Sequence, residues 1–134
     1  MSNIHTPEAL NRVTSTIIGG AIEIHKAVGP GLLESAYLRC LTYELHNAGL
    51  RFELQKAIPL IYRGVAIDCA YRADVVVEQA VIVEVEAMES VAPIHTRQLY
   101  TYLRLTGLHL GLLLNFGAAT MKDGITRVVN RLPE

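Results

Sequence analysis

The order of helical and extended segments in this sequence predicts a mixed α/β fold, with helices flanking a central sheet. Three observations support this prediction. Residues 6–47 carry apolar side chains at helical spacing, residues 52–88 alternate as strands do, and a further helical segment precedes a segment that is apolar almost throughout. This order of helices, strands, helix and strand is typical of a mixed sheet.

Two helices are predicted at the beginning of the chain, over residues 6–27 and 32–47. Thr6 can cap the first helix, and Pro7 suits its first turn because a helix start leaves that N–H unpaired. The sequence VGPG at residues 28–31 separates the two helices, since glycine and proline both disfavour a continuing helix. We therefore expect a helical hairpin.

Three strands are predicted next, over residues 52–62, 66–78 and 81–88, with short turns at Arg63-Gly64 and Gln79-Ala80. They would form an antiparallel meander. Pro93 is expected to end the extended pattern. The predicted elements beyond it are a helix over 96–106, a strand covered on both faces over 108–116, and an edge strand over 125–130.

Length and composition restrict the class of protein. A chain of 134 residues without repeats or linkers predicts one domain over residues 1–134. No apolar run approaches the ~20 residues that cross a bilayer, and the N-terminus lacks the pattern of a secretory signal, so we expect a soluble, cytoplasmic protein without membrane contact. The hydrophobic fraction of 51% predicts a homodimer or another protein partner that covers part of the surface.

Charge and metal-binding residue types restrict the partners. The net charge of −1 gives no general attraction to polyanions, so a nucleic acid would need a local basic patch or a bound cation. Cys40 and Cys69 lack CxxC spacing and are expected to be free, buried thiols. The five histidines are scattered, which argues against zinc. Among them, His95 can face the acidic residues of the sheet, with helix capping or surface exposure as the alternative.

Acidic residues on two neighbouring predicted strands form the main candidate site. Because strand side chains alternate between faces, Asp74 shares a face with Arg72 and Val76, and Glu84 shares one with Glu86. Alpha carbons two residues apart on a strand are ~7 Å apart, and those on the adjoining strand are ~5 Å away, so these carboxylates can surround one cation. The alternative is a solvated strand face on which the glutamates only maintain solubility.

Several ordered motifs identify a family resemblance. They are GLLESAY at 31–37, YRAD at 71–74, the strand of Glu84, HTRQLYTYL at 95–103 and GLLLNFG at 111–117. This series resembles the GxxExxY proteins, a small bacterial family assigned to the PD-(D/E)XK nuclease-like superfamily, from about residue 13 to residue 130. The resemblance implies a restriction-endonuclease-like core, in which helices flank a mixed central sheet with an antiparallel meander.

The resemblance also implies a site for Mg²⁺ or Mn²⁺. Asp74 is similar to the aspartate of the PD half-motif, and Glu84 to the acidic residue of (D/E)XK. In the superfamily these residues bind the metal together with the following carbonyl, which is that of Val85 in this chain. Glu34 resembles an additional acidic ligand that some members supply from a helix before the sheet. Such oxygen ligands suit both ions.

A second motif follows on the third predicted helix. Gln98 and Tyr102 have the spacing QxxxY and resemble a motif that positions the site or the nucleic acid in exonuclease-like members of the superfamily. The alternative is an amide and a phenol on a core-facing helix edge without a role in a site.

The chain departs from the superfamily pattern two residues after Glu84, where Glu86 replaces the usual lysine. Glutamate can accept a proton but adds negative charge, although some restriction endonucleases use it there. The implied function is hydrolysis of phosphodiester bonds in nucleic acid, with DNA the expected substrate. Glu86 is the candidate general base, and Arg72 or Lys56 are candidate phosphate contacts. The alternative, which the missing lysine favours, is an inactive nuclease fold that binds nucleic acid or a protein.

Overall fold

Both N-terminal helices form in the computed structural model, which describes residues 5–68 and 71–131. Helix α1 (Pro7–Val28) begins after Thr6, whose side chain accepts a hydrogen bond from the Ala9 N–H at 3.2 Å. Helix α2 (Glu34–Asn47) follows a loop at residues 29–33 and packs against α1. Their apolar faces cover one side of the sheet. The two predicted helices are thus confirmed.

The remaining elements comprise seven strands and two helices in the described residues. In chain order they are β1 (Phe52–Ala57), β2 (Leu60–Tyr62), β3 (Val65–Ile67), β4 (Arg72–Val77), β5 (Val81–Glu86), α3 (Pro93–Thr106), β6 (Leu110–Asn115), α4 (Met121–Gly124) and β7 (Ile125–Val129). The central sheet has the order β1-β4-β5-β6-β7. Only β5 and β6 are parallel, with α3 between them in the chain, so the predicted mixed sheet is confirmed.

Two of the predicted strands were too long, and each is divided in the structure. Residues 52–62 form β1 and β2, because Pro59 has no N–H for a ladder and lies where β1 ends. Residues 66–78 overlap β3 and β4, with positions 69 and 70, including Cys69, outside the described residues. Strands β2 and β3 form a separate hairpin, whose turn at Arg63 and Gly64 has the positive φ angles of 49° and 79° that tight hairpins need.

The helices also differ from the prediction in one boundary and one additional helix. Pro93 begins α3 instead of only ending the preceding segment, because a fixed φ and a missing N–H suit the first turn of a helix. The short helix α4 was not predicted, since its four residues are too few for a periodic pattern.

The central strands β4, β5 and β6 are largely buried on both faces of the sheet, and the two faces have different coverings. Alternate valines of β4 and β5 pack with α1 and α2 in one core. Residues of the opposite parity, including Val76 and Ile82, pack with Leu99 and Leu103 of α3 in a second core. Every residue of β6 is buried, as expected for a strand covered on both sides.

Two further features bear on the expected class of protein. Among the described residues, none of the helices combines the length and apolarity that crossing a bilayer requires. Cys40 is a free thiol on α2 and is half-buried.

Candidate active site

Asp74 and Glu84 lie opposite each other on β4 and β5, at the end of the ladder that joins these strands. The register ends at the pair Val75 and Val83, so one further step along each strand brings the two acidic residues together. Ile82, two residues before Glu84, packs against α3. Both acidic side chains therefore lie on the α3 side of the sheet, where strand alternation predicted that they would meet.

Backbone N–H groups hold one oxygen of each carboxylate. The N–H of Asp74 donates to Oε2 of Glu84 at 3.1 Å, and the N–H of Val85 donates to Oδ2 of Asp74 at 2.8 Å. Hydrogen bonds to a charged acceptor are strong and orient it well. Each carboxylate is thereby fixed in position, and its second oxygen is the one that can bind a cation or share a proton.

The close approach of the half-buried Asp74 carboxylate strongly affects the ionisation of the buried Glu84. Burial, together with the hydrogen bond and the charge of Asp74, raises the pKa of Glu84 to about 9. Only 9% of Glu84 is exposed, so water cannot relieve this repulsion. The pair therefore retains a proton at neutral pH in the metal-free protein, and a cation would take the place of that proton.

Glu34 and Glu86 extend this pair into an acidic cluster of four carboxylates. Burial and the Glu34 carboxylate raise the pKa of Glu86 to about 7, while the positive charge of His95 opposes the shift. Burial and the charge of Asp74 also raise the pKa of Glu34, at the start of α2. Helix α2 packs on the other face of the sheet, so Glu34 reaches the cluster around the sheet end.

The charge of the acidic cluster is not neutralised by ion pairs. Within residues 5–68 and 71–131, the Lys and Arg ion pairs join Arg51 to Glu78 and Lys56 to Glu53, and neither pair includes a member of the cluster. His95 influences Glu86 from beyond ion-pair distance. Protons or an external cation must therefore balance the cluster at neutral pH.

The oxygen donors of the acidic cluster match the ligand preference of Mg²⁺ and Mn²⁺. In the part of the chain that the structure describes, no three His, Cys, Asp or Glu side chains are grouped so as to hold a metal ion. A cation on Asp74 and Glu84 would need further ligands from a backbone carbonyl, such as that of Val85, and from water. Mg²⁺ commonly uses one or two carboxylates and keeps several waters, so the residues fit this ion.

The hydroxyl group of Tyr37 fixes the loop at residues 29–33, from which Glu34 emerges. This hydroxyl donates to the C=O of Gly29 at 2.5 Å and accepts from the N–H of Leu32 at 3.1 Å. The loop is thus bonded at two points to the helix that follows it. The spacing of glutamate and tyrosine in the sequence motif therefore has a structural reason, because the tyrosine holds the loop that presents the glutamate.

The ring of Tyr37 connects this loop to the end of the central sheet. It is fully buried and stacks on Phe116, with ring centroids 4.6 Å apart and an interplanar angle of 7°. The N–H of Phe116 donates to the C=O of Glu86 at 2.9 Å. The start of α2 and the end of β5 are therefore tied to the same aromatic pair.

We expect Tyr37→Phe to loosen the loop without disrupting the core. The aromatic stack would persist, but Gly29 and Leu32 would lose their partner, at a cost of about 0.5–1.5 kcal/mol because water can reach both groups. The melting temperature should fall, and amide hydrogen exchange at Leu32 should accelerate. Tyr43→Phe is the matched control, because Tyr43 lies on the same helix and is 66% exposed. Unchanged exchange at Leu32 in Tyr37→Phe would contradict the assigned role of the hydroxyl.

Asn115 is a buried polar residue that the sequence analysis did not single out. It lies beside Glu86 in the register of β5 and β6, and its Oδ1 accepts from the N–H groups of Met88 and Gly117 at 3.0 and 3.1 Å. A Cβ at Gly117 would lie 2.3 Å from the Met88 oxygen, so this close approach requires glycine. In the sequence, the only indication that Asn115 has a structural role is that an amide interrupts the apolar segment at residues 111–117.

The third helix places Tyr102 against the acidic cluster and Gln98 at the surface. Tyr102 is buried, and burial followed by the charge of Glu84 raises the pKa of its phenol. Gln98, one turn earlier on α3, is exposed. Tyr71, the first residue of the YRAD motif, lies with its ring 5.8 Å from that of Tyr102. The helix thus brings Tyr102 to the cluster and leaves Gln98 at its margin.

The two candidate phosphate contacts have partners of their own. Nζ of Lys56 pairs with Glu53 at 3.0 Å, and Nη1 of Arg72 donates to the backbone oxygen of Tyr71 at 2.9 Å. Both interactions are exposed, where such contacts contribute little stability. Neither side chain is directed to the acidic cluster by an ion pair.

Comparison with known protein families matches the chain to the PD-(D/E)XK nuclease superfamily over residues 11–128. The matched range includes the whole acidic cluster and α3. The mixed sheet flanked by helices is consistent with the fold of that superfamily. No curated protein and no solved structure matches the chain.

Proposed function

This chain belongs to the PD-(D/E)XK nuclease superfamily, and we propose that it hydrolyses phosphodiester bonds in nucleic acid, with DNA as the substrate and Mg²⁺ or Mn²⁺ as the cofactor. The observation that carries this proposal is the reciprocal fixing of Asp74 and Glu84 by backbone N–H groups at the end of a buried ladder. Membership of the GxxExxY group, carried by Gly31, Glu34 and Tyr37, and a cytoplasmic location are parts of the same proposal.

The proposed roles follow from the position of each side chain. When bound, the cation would act as a Lewis acid and offset negative charge on the phosphoryl oxygens. Asp74 and Glu84 would hold it with the carbonyl of Val85 and water. Among the described residues no third acidic side chain is grouped with these two, so Glu34 would have to approach from α2 to add its carboxylate. The backbone bonds to the first two residues keep them oriented, so that little reorganisation is needed when the ion binds.

Glu86 is the proposed general base. It lies two residues beyond Glu84, and its pKa of about 7 suits a group that takes a proton from the attacking water near neutral pH. Tyr102 and Gln98 are proposed to position the substrate and the water from α3. These roles require no movement of the sheet, because the groups lie on regular strands and helices.

Cleavage assays test the proposal. Purified protein is incubated with labelled single- and double-stranded DNA and RNA in Mg²⁺, Mn²⁺ or EDTA. We expect cleavage only with metal and none by Asp74→Ala, while Asp123→Ala, at an exposed aspartate of α4, should cleave as the wild type does.

Thermal melting tests the metal site separately from catalysis. Mn²⁺ should raise the melting temperature of the wild type and of Asp123→Ala but not that of Asp74→Ala. Equal shifts in all three proteins would show that Asp74 does not bind the metal. Cleavage that persists in EDTA would show that the reaction does not depend on a metal.

The presence of Glu86 favours a second candidate function, a catalytically inactive nuclease fold that binds nucleic acid or a protein partner. A glutamate at this position adds negative charge where an attacked phosphodiester gains charge, which slows turnover. Metal-independent binding of nucleic acid without cleavage would identify this function. The homodimer or protein partner expected from the apolar composition stays a prediction in either case.

A further inference from the structure

A groove beside the acidic cluster has a lining that suits an unpaired nucleobase. Its volume is about 360 Å³, near the lower end of the range for small-ligand pockets. The described side chains that line it are Tyr71, Ile94, Arg97, Gln98, Thr101 and Tyr102. The groove is therefore large enough for one planar group and too small for an extended ligand.

The groove adjoins the acidic cluster directly. Tyr102 forms one of its walls, and the negative charges of Glu84 and Asp74 both act on the phenol of this residue. Tyr71 forms another wall and lies three residues before Asp74, immediately before β4. A group bound in the groove would thus lie next to a phosphodiester placed at the cluster.

The walls of the groove expose apolar surface that the core does not use. Tyr71 is 37% exposed and Ile94 is 61% exposed, although both are large apolar side chains. The rings of Tyr71 and Tyr102 are inclined at 47°, so they do not stack on each other in parallel. An aromatic ligand can therefore stack on Tyr71 and contact Ile94.

Polar groups complete the lining. Arg97 and Gln98 are both exposed on α3. A guanidinium group can bind a phosphate or stack on a base, and an amide can donate to and accept from a base edge. This combination of aromatic, cationic and amide groups is typical of sites that bind unpaired bases of single strands.

The charge of the protein argues against a duplex as the preferred ligand. Binding of duplexes without base contacts depends on many phosphate contacts by Lys and Arg. Among the described residues, Arg97 is the one cation in the lining of this groove, and the net charge of the chain is −1. Stacking of a single base on an aromatic side chain contributes about 1–3 kcal/mol and needs no such positive surface.

We infer that this groove binds one unpaired nucleobase beside the scissile phosphate, so that the substrate is a single strand or the splayed end of a duplex. The inference rests on the proposed function for the position of the phosphate. It assigns a binding role to Tyr71, Ile94 and Arg97, which lie outside the acidic cluster.

Binding measurements in EDTA test the groove independently of cleavage. The probes are a fluorescent single-stranded oligonucleotide and the blunt duplex of the same sequence, measured by anisotropy. The wild type should bind the single strand more tightly. Tyr71→Ala should weaken this binding by about 5- to 150-fold, the equivalent of one lost stacking contact. Tyr71→Phe should bind within about twofold of the wild type, because the stacking ring is kept.

Two further variants guard against indirect effects. Arg97→Glu should weaken single-strand binding and, at an exposed helix position, should leave the melting temperature nearly unchanged. Tyr43→Ala, which removes a 66% exposed tyrosine from α2, should bind as the wild type does. If Tyr71→Ala and the wild type bind equally, or the duplex binds more tightly, the inference is wrong. Failure of the wild type to bind the single strand also overturns it and favours a protein ligand.

The outcomes separate the groove from the proposed function. If the protein cleaves a duplex with metal and Tyr71→Ala has no effect, the nuclease activity is supported and the inferred binding role of the groove is wrong. If single-strand binding depends on Tyr71 but no cleavage occurs in Mg²⁺ or Mn²⁺, the binding role of the groove is supported and the proposed nuclease activity is wrong.

Discussion

Glu84→Gln is expected to abolish metal-dependent cleavage while raising the melting temperature of the metal-free protein at pH 8. The neutral amide is a weak ligand for a hard cation, and loss of several kcal/mol of transition-state stabilisation corresponds to a fall in rate of about 10³ or more. The amide keeps the structural contacts, since its oxygen can accept from the Asp74 N–H. Its NH₂ group can donate to the Asp74 carboxylate, as the shared proton does in the wild type.

The stability effect depends on pH in a defined direction. The pKa of Glu84 is raised from 4.5 to about 9 in the folded protein. Below pH 4.5 the Glu84 carboxyl is protonated in both the folded and the unfolded protein, so its ionisation does not reduce the stability there. As the pH rises from 4.5 towards 9, the unfolded chain ionises while the folded chain holds its proton, so the metal-free wild type loses stability. Glutamine does not titrate, so the Glu84→Gln variant does not lose stability in this way as the pH rises.

Thermal melts in EDTA at pH 5 and pH 8 check this prediction. The advantage of Glu84→Gln should be several degrees at pH 8, since about 1 kcal/mol moves the melting temperature of a domain of this size by about 4 °C. It should shrink at pH 5. Glu78→Gln is the matched control at the other end of β4, where the carboxylate accepts from the Arg51 N–H at 2.7 Å, and it should give no gain. A Glu84→Gln protein that melts below the wild type at pH 8 would contradict the predicted repulsion.

The chain shows which parts of the fold a sequence can specify. Alternation in the segment VIVEVE predicted that Glu84 and Glu86 share a face, and the structure confirms it because alternation is a local property of extended backbone. The apolar run of β6 likewise predicted a strand buried on both faces. Pro59 and Pro93 were harder to interpret, since proline ends a strand at one position and begins a helix at the other.

Most of the surroundings of the site depend on contacts between residues distant in sequence. The proximity of Glu34 to Glu86 requires the loop at residues 29–33 to be held by Tyr37, and no periodic pattern encodes that hydrogen bond. The same holds for Asn115, whose amide bonds to the backbone of a different loop. The facing of Asp74 and Glu84 could be anticipated from strand order, but the backbone bonds that fix them depend on where the ladder ends.

Glu86→Lys is expected to raise the rate of metal-dependent cleavage by about tenfold or more. The substitution changes the charge beside the attacked phosphodiester by about one and a half units, because a carboxyl with a pKa of about 7 is about half ionised at neutral pH. One unit charge at about 6 Å contributes about 3 kcal/mol at an effective dielectric constant near 20, so one and a half units correspond to about 10³ in rate. Loss of proton acceptance by Glu86 costs about 10²–10⁴. We expect the smaller loss, because a carboxyl with a pKa of about 7 is only partly ionised at neutral pH.

Two further variants separate charge from proton acceptance in this comparison. Glu86→Gln removes the base without adding positive charge, so it should cleave more slowly than the wild type, giving the order lysine, glutamate, glutamine from fastest to slowest. Glu89→Lys makes the same substitution at an exposed residue outside the acidic cluster and should leave the rate nearly unchanged. If Glu86→Lys cleaves no faster than Glu86→Gln, proton acceptance by Glu86 contributes more to the rate than its negative charge takes away. Glutamate would then be the functional residue at this position, and not a defect of the site.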